Sequence, residues 1–201
     1  EEVRIDLTPE EKEAVRKVLG REPNTVEWAM IDAEWSEHCS YKSSKLLLRQ
    51  LPTKGARVVL GPGFDAGVLD VGDDWVATIH IESHNHPSAI DPYGGAATGI
   101  GGVLRDILCM GTRPIALLDS LRFGWINRSA HSRWLFGNVV KGIADYGNCT
   151  GVPTVAGEVE FDDCFESNCL VDVICVGVGR RENLVLAEMK HPGDSIILVG
   201  G

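Results

Sequence analysis

His80, Glu82, His84 and His86 occupy every second position of the stretch His80-Ile81-Glu82-Ser83-His84-Asn85-His86-Pro87. The segment from Trp75 to Ile81 alternates with period 2, as a strand does. Trp75, Ala77, Ile79 and Ile81 then share one face, and Val76, Thr78, His80 and Glu82 the other. If the chain stays extended, His84 and His86 join that second face. Three imidazoles and a carboxylate in a row can hold a cation, move a proton or stabilise developing charge.

After Pro87, a turn at Asp91-Pro92-Tyr93-Gly94 changes the period. Ile100, Val103, Leu104, Ile107 and Leu108 recur at helical spacing and form one apolar stripe. Gly95, Gly99, Gly102 and Asp106 fall on another side of the same helix. Glycine inside a helix costs roughly 1 kcal/mol relative to alanine, so several on one side imply that something comes close to the backbone. A phosphate at the helix N-terminus is one reading, with Asp106 holding a Mg²⁺ shared with it. Tight packing of helix on sheet is the other.

Three kinds of chemistry fit the histidine row. A transition-metal site would use His84, His86 and a carboxylate, but the helical HExxH pattern is missing, and a hard Mg²⁺ prefers Glu82 and Asp106. A non-catalytic binding domain with a polar pocket is the second. The third is an ATP-using ligase, in which carboxylates hold Mg²⁺, glycine backbone meets phosphate and histidine handles protons. The spacing favours this third kind. His131, at a helix start, reads as structural.

The elements that must position these groups follow from local signals. Thr8-Pro9-Glu10-Glu11 is a capping box with proline at the first helical position, which predicts a helix over 9–19. Asn24-Thr25-Val26-Glu27 repeats the signal and starts a second helix with Val26, Met30 and Ala33 inward. That helix runs into Trp35-Ser36-Glu37-His38-Cys39, a polar cluster that is either a solvated terminus or a functional one. Short strands are expected at Arg57–Leu60 and Ala66–Val71, the latter joined to the histidine strand by a hairpin at Gly72-Asp73-Asp74. Pro114–Leu121, Val152–Ala156, Leu170–Val178 and Asp194–Val199 read as further strands. A helix over 130–147 turns Leu135, Val139, Ile143 and Tyr146 inward and is capped at Gly147–Gly151. Hairpins mixed with two long helices make an α+β layer domain. The apolar strands need cover on both faces, and two helices suffice for one.

The chain of 201 residues is 44% hydrophobic and 24% charged, with net charge −10. That balance, without a Lys/Arg block, argues against nucleic acid and anionic membranes as partners. No apolar run reaches transmembrane length. Six cysteines form no CxxC pair, which fits a reduced cytosolic setting. Cys109 and Cys175 read as small buried hydrophobes, and Cys164 with Cys169 as a weaker metal pair. The chain opens at Glu1 without methionine and stops in a strand-like run at Gly201, as a piece of a longer protein would.

Residues 35–44, 81–90 and 92–102, together with Asp145-Tyr146-Gly147-Asn148, resemble one family, in order along nearly the whole chain. It is the large subunit of phosphoribosylformylglycinamidine synthase, PurL, of de novo purine synthesis. The resemblance implies an α+β, PurM-like amino-terminal domain: a mixed β-sheet covered by helices on one face, whose sheet pairs with a second such domain into a barrel-like core. Residues 1–50 would be a helical segment carrying the Ser36–Lys42 motif, 51–185 the ATP-binding domain, and 186–201 the start of a following domain.

The implied reaction joins formylglycinamide ribonucleotide, ATP and glutamine-derived ammonia into formylglycinamidine ribonucleotide, through an iminophosphate, in the cytoplasm. By motif, His38 and His84 would be catalytic, with His84 the proton acceptor. Tyr41 and His80 would contact ATP. Glu82 and Asp106 would ligate Mg²⁺, and Ser83, His84, Asn85, His86 and Arg105 would hold substrate. The family often has lysine where His80 stands, so either another cation such as Lys42 or Lys45 substitutes or nucleotide binding is tuned differently. Ammonia would come from a glutaminase subunit, with a small bridging subunit. Aminoimidazole ribonucleotide synthetase and selenophosphate synthetase share the fold. The motifs at Ser36–Cys39 and Glu82–Pro87 separate this chain from them, and a non-catalytic binding domain stays as the other alternative.

Overall fold

The computed structural model describes residues 4–188, 190–195, 197 and 198. Contacts divide the chain into two units, Glu1–Pro52 and Thr53–Gly201.

The first unit is helical: α1 (Pro9–Leu19), α2 (Thr25–Glu34), α3 (Glu37–Ser40) and α4 (Lys45–Leu48). Both expected capping boxes form, Thr8 with Glu11 and Asn24 with Glu27. The inward side of α2 is not Val26, Met30 and Ala33, all of which are exposed. Trp28, Ile31 and Asp32 are the more buried side, because Asp32 Oδ1 accepts the backbone N–H groups of Asp6 at 2.8 Å and Leu7 at 3.0 Å. A polar anchor thus set the helix rotation that apolar spacing alone misassigned.

The second unit is one six-stranded sheet in the order β1-β2-β3-β6-β4-β5. Its strands are β1 (Val58–Leu60), β2 (Gly67–Gly72), β3 (Trp75–Ser83), β4 (Arg113–Phe123), β5 (Thr154–Phe161) and β6 (Leu170–Arg180). All neighbours are antiparallel except β4 and β5, which run parallel and are joined through the long helix α7 (Ala130–Thr150). Asp73 and Asp74 both take positive φ, 51° and 60°, in the β2–β3 hairpin. Helices α5 (Asn85–Ile90) and α6 (Pro92–Cys109) follow β3 directly.

Helices α6 and α7 cover one face of the sheet. Ile100, Val103 and Ile107 of α6 and Leu135 and Val139 of α7 are fully buried with Val76, Leu117, Val171, Val173 and Cys175 of the strands. Burial pushes the Cys175 thiol up to about 11. Thr78 is buried in the same layer. Thr112 Oγ1 donates to the Ile107 carbonyl at 2.9 Å, so the Thr78 hydroxyl, 2.7 Å away, is the donor of that pair. The opposite face carries exposed Trp75, Ile79 and Ile81, and at one end Arg122 paired with Glu158 at 2.7 Å and Glu160 at 3.2 Å. The expected one-sided cover is what the described residues form.

Other expectations shift. Helix α6 begins at Pro92, because Asp91 caps it by accepting the Gly94 N–H, so no separate turn precedes it. Leu108, Cys109 and Tyr146 are exposed, lying just past the buried edge of their helices. Strand β5 runs to Phe161, longer than expected. Of the expected last strand, Ile196 and Val199 lie outside the described residues, and Asp194, Ser195, Ile197 and Leu198 are not in a strand.

Candidate active site

Strand β3 places His80 and Glu82 on the helix-covered face, where α6 brings Asp106 over them. His80 Nε2 lies 3.0 Å from Asp106 Oδ2 and 3.9 Å from Glu82 Oε2. One donor atom from each of His80, Glu82 and Asp106 falls within 4.8 Å of the others. Glu82 turns its second oxygen, Oε1, to His84 Nε2 at 3.0 Å. Burial pushes the Asp106 carboxyl above its ordinary value; His80 opposes that rise and the charge of Asp65 adds to it. Asp65, in the loop between β1 and β2, was not among the expected site residues. Its signal was the Gly61-Pro62-Gly63-Phe64 loop directly before it.

The chain does not stay extended past Ser83. His84 N–H donates to the Val171 carbonyl at 2.7 Å, and Asn85 opens α5 with its Oδ1 accepting the Val171 N–H at 2.7 Å. His84 therefore folds back onto Glu82, while His86 is exposed on the first turn of α5 and leaves the row. His84 Nδ1 and the Ser88 hydroxyl are buried with no hydrogen-bond partner among the described residues. Ser83 falls on the opposite face of β3 from Glu82, by strand alternation. Arg105 is exposed beside Asp106 on α6.

Of the two uses expected for the glycine side of α6, close packing on the sheet and its flanking chain is the one that forms. A phosphate at its N-terminus could not share an ion with Asp106, because Pro92 and Asp106 are 14 residues apart and so about 21 Å apart along the axis. The acidic Asp91 already occupies the first-turn amide. Instead, a Cβ on Gly95 would meet the Ser88 nitrogen at 2.5 Å, one on Gly99 would meet His84 Cβ at 3.2 Å, and one on Gly102 would meet Glu82 Oε2 at 2.5 Å.

His38 and Tyr41 belong to the first unit. Tyr41 closes α3 with φ 52°, and its side chain is exposed. The loop after it is tied to Glu37, whose carboxylate accepts Ser43 N–H at 2.7 Å, Ser44 N–H at 3.1 Å and the Ser44 hydroxyl. Hydrogen bonds from Ser43, then Ser44, hold the Glu37 carboxyl down at about 2. Lys42 pairs with Glu11 at 2.9 Å, a tie to the α1 capping box, and Lys45 is exposed.

Two hard carboxylates and an imidazole within one ion's reach fit a divalent cation with oxygen preference, the remaining positions falling to phosphate or water. An imidazole held against an acidic oxygen can take a proton.

Residues 63–179 match the family described as AIR synthase related protein, N-terminal domain. The chain belongs to that family. Residues 1–42 match the formylglycinamide ribonucleotide amidotransferase linker domain. Phosphoribosylformylglycinamidine synthase subunit PurL of Methanothermobacter marburgensis is 59% identical over 195 residues, covering 97% of this chain and 27% of that protein. T. maritima PurL complexed with ATP is 42% identical with TM-score 0.77, covering 92% of this chain and 30% of the other. T. maritima PurL complexed with FGAR gives the same identity and TM-score over 28% of its length. The chain thus spans just over a quarter of the length of these relatives.

Proposed function

We propose that the protein carrying this chain makes formylglycinamidine ribonucleotide from formylglycinamide ribonucleotide, ATP and glutamine-derived ammonia, in de novo purine synthesis in the cytoplasm. The observation that carries this reading is the convergence of Glu82, Asp106 and His84 in a chain 59% identical to a subunit named for that synthase. The match of residues 1–42 to the amidotransferase linker favours it over other ATP-using members of the fold. No described helix is long and apolar enough to cross a membrane.

In this reading the substrate amide oxygen attacks the γ-phosphorus of ATP and ADP leaves. Ammonia then adds to the iminophosphate carbon and phosphate departs. Glu82 and Asp106 would hold a Mg²⁺, which when bound would supply neutralising charge at the phosphates. His84 takes the proton that the incoming nitrogen must lose, and His38 stabilises developing charge. Tyr41 and His80 contact ATP. Ser83, His84, Asn85, His86 and Arg105 position the ribonucleotide.

Residues 1–50 serve as the motif-bearing helical segment, 51–185 as the ATP-binding domain and 186–201 as the entry to a following domain. The exposed apolar face with Trp75, Ile79 and Ile81 takes the sheet of a second PurM-like domain, completing a barrel-like core. A glutaminase subunit with a small bridging subunit supplies ammonia.

The test is ammonium-dependent phosphate release by the complete protein with formylglycinamide ribonucleotide and ATP. Asp106→Asn is expected to cut turnover strongly and raise the Mg²⁺ requirement. No substrate-dependent phosphate release by the unaltered protein would overturn the assignment, and an unchanged Mg²⁺ requirement would remove Asp106 from it.

A further inference from the structure

We propose that Gly102 of α6 is a positioning residue, whose missing side chain lets the Glu82 carboxylate lie against the helix with one oxygen on His84 and the other toward His80 and Asp106. This rests on reading Glu82 and Asp106 as the cation site. The three atoms nearest a Cβ at position 102 all belong to that carboxylate: Oε2 at 2.5 Å, Cδ at 3.1 Å and Oε1 at 3.2 Å. Other close-packed glycines meet something else. Gly95 faces the backbone of Pro87 and Ser88, and Gly142 faces the backbone of Tyr93 and Ala97. Those are helix-packing positions, where a methyl group would push elements apart.

At Gly102 the obstacle is the far end of a flexible side chain. Alanine is also the better helix former. A methyl group there leaves the fold standing and moves the carboxylate, separating Glu82 from His84 and from Asp106 together. Gly99 works one turn earlier: a Cβ there would meet His84 Cβ at 3.2 Å and Cγ at 3.3 Å, with Val173 Cγ2 also at 3.3 Å. The two glycines thus seat the carboxylate and the imidazole side by side on one helix surface, and the buried His84 Nδ1, without a partner among the described residues, belongs to the seated ring.

The experiment uses the complete protein and Mn²⁺ as the probe, with free Mn²⁺ followed by electron paramagnetic resonance. Gly102→Ala is expected to weaken Mn²⁺ binding by roughly 10- to 100-fold, as loss of a residue that orients a metal ligand does. Gly137→Ala, on α7 where none of the described residues lies within 4 Å of the added methyl group, should leave the affinity unchanged. An unchanged affinity in Gly102→Ala overturns the proposal alone. Absence of Mn²⁺ binding that depends on Asp106 in the unaltered protein overturns the cation-site reading beneath it. A thermal-unfolding cycle with Glu82→Ala covers a poorly folding variant. If Glu82 is the obstacle, alanine at 102 is tolerated better once Glu82 is gone, and an equal shift in both backgrounds refutes the proposal.

Discussion

Asn85 holds the backbone N–H of Val171, 86 residues further along the chain, at 2.7 Å through its side-chain oxygen. The carbonyl of the same Val171 accepts the N–H of His84. Both backbone groups of one β6 residue therefore pin the corner at which the histidine strand becomes helix. Asn85→Ala leaves a part-buried N–H unpaired, a loss of about 1–3 kcal/mol. Hydrogen exchange at Val171 should speed up by about 10- to 100-fold locally, with protection of β2 little changed. Unaltered exchange at Val171 would mean the corner is held by something else.

His84 and His131 make a matched pair for a functional test. His84 sits against Glu82 Oε1, whereas His131 stacks on Trp134, with ring centroids 5.7 Å apart, at the start of α7. His84→Ala is expected to lower turnover of the complete protein by roughly 10²–10⁴-fold. His131→Ala should leave turnover within about twofold of the unaltered protein, since exposed substitutions away from a site have small effects. Steady-state phosphate release measures both, and equal losses would show that a structural histidine has been read as a catalytic one.

Glu37 gives a pH dependence with a definite sign. Its carboxyl titrates near 2 in the folded chain, below the ordinary carboxylate value, because the Ser43 and Ser44 donors favour the charged form. A lowered folded value means that the contribution is fully present above the ordinary carboxylate range and is lost as pH falls from that range toward 2. The loop over Ser36–Ser44 should therefore keep its order through mildly acidic pH and lose it below. Carboxyl-carbon chemical shifts of Glu37 against pH check this, and a midpoint at the ordinary glutamate value would refute it. Glu37→Gln should remove the acid transition of the loop.

Much of the scaffold was readable from local signals. The capping boxes at Thr8 and Asn24, the strand carrying His80 and Glu82, and the buried stripe from Ile100 to Ile107 each depend on neighbours a few residues away. What could not be read was decided by distant partners. The extended row ended at Ser83 because Val171 captured both His84 and Asn85, so His86 left the site that His84 kept. The rotation of α2 followed Asp32, which reaches back to Asp6 and Leu7. The glycines of α6 signalled a close approach, but its object, Glu82 and His84, became visible only when β3 and α6 were packed. Asp65 was missed because a lone acid after a glycine loop has no periodicity.

Cys175 lies in one cross-strand row with His80 and Leu117, at the centre of the sheet. Its thiol is buried and held mostly protonated at neutral pH, while Cys39, Cys109, Cys149 and Cys164 are exposed. With those four blocked and the other buried thiol, Cys169, replaced by alanine, labelling of Cys175 becomes a clock for the opening of the sheet beneath His80, because only a transiently freed thiolate reacts. Slower labelling on addition of a nucleotide or a cation would report whether a ligand's grip on the site reaches into the core at β6.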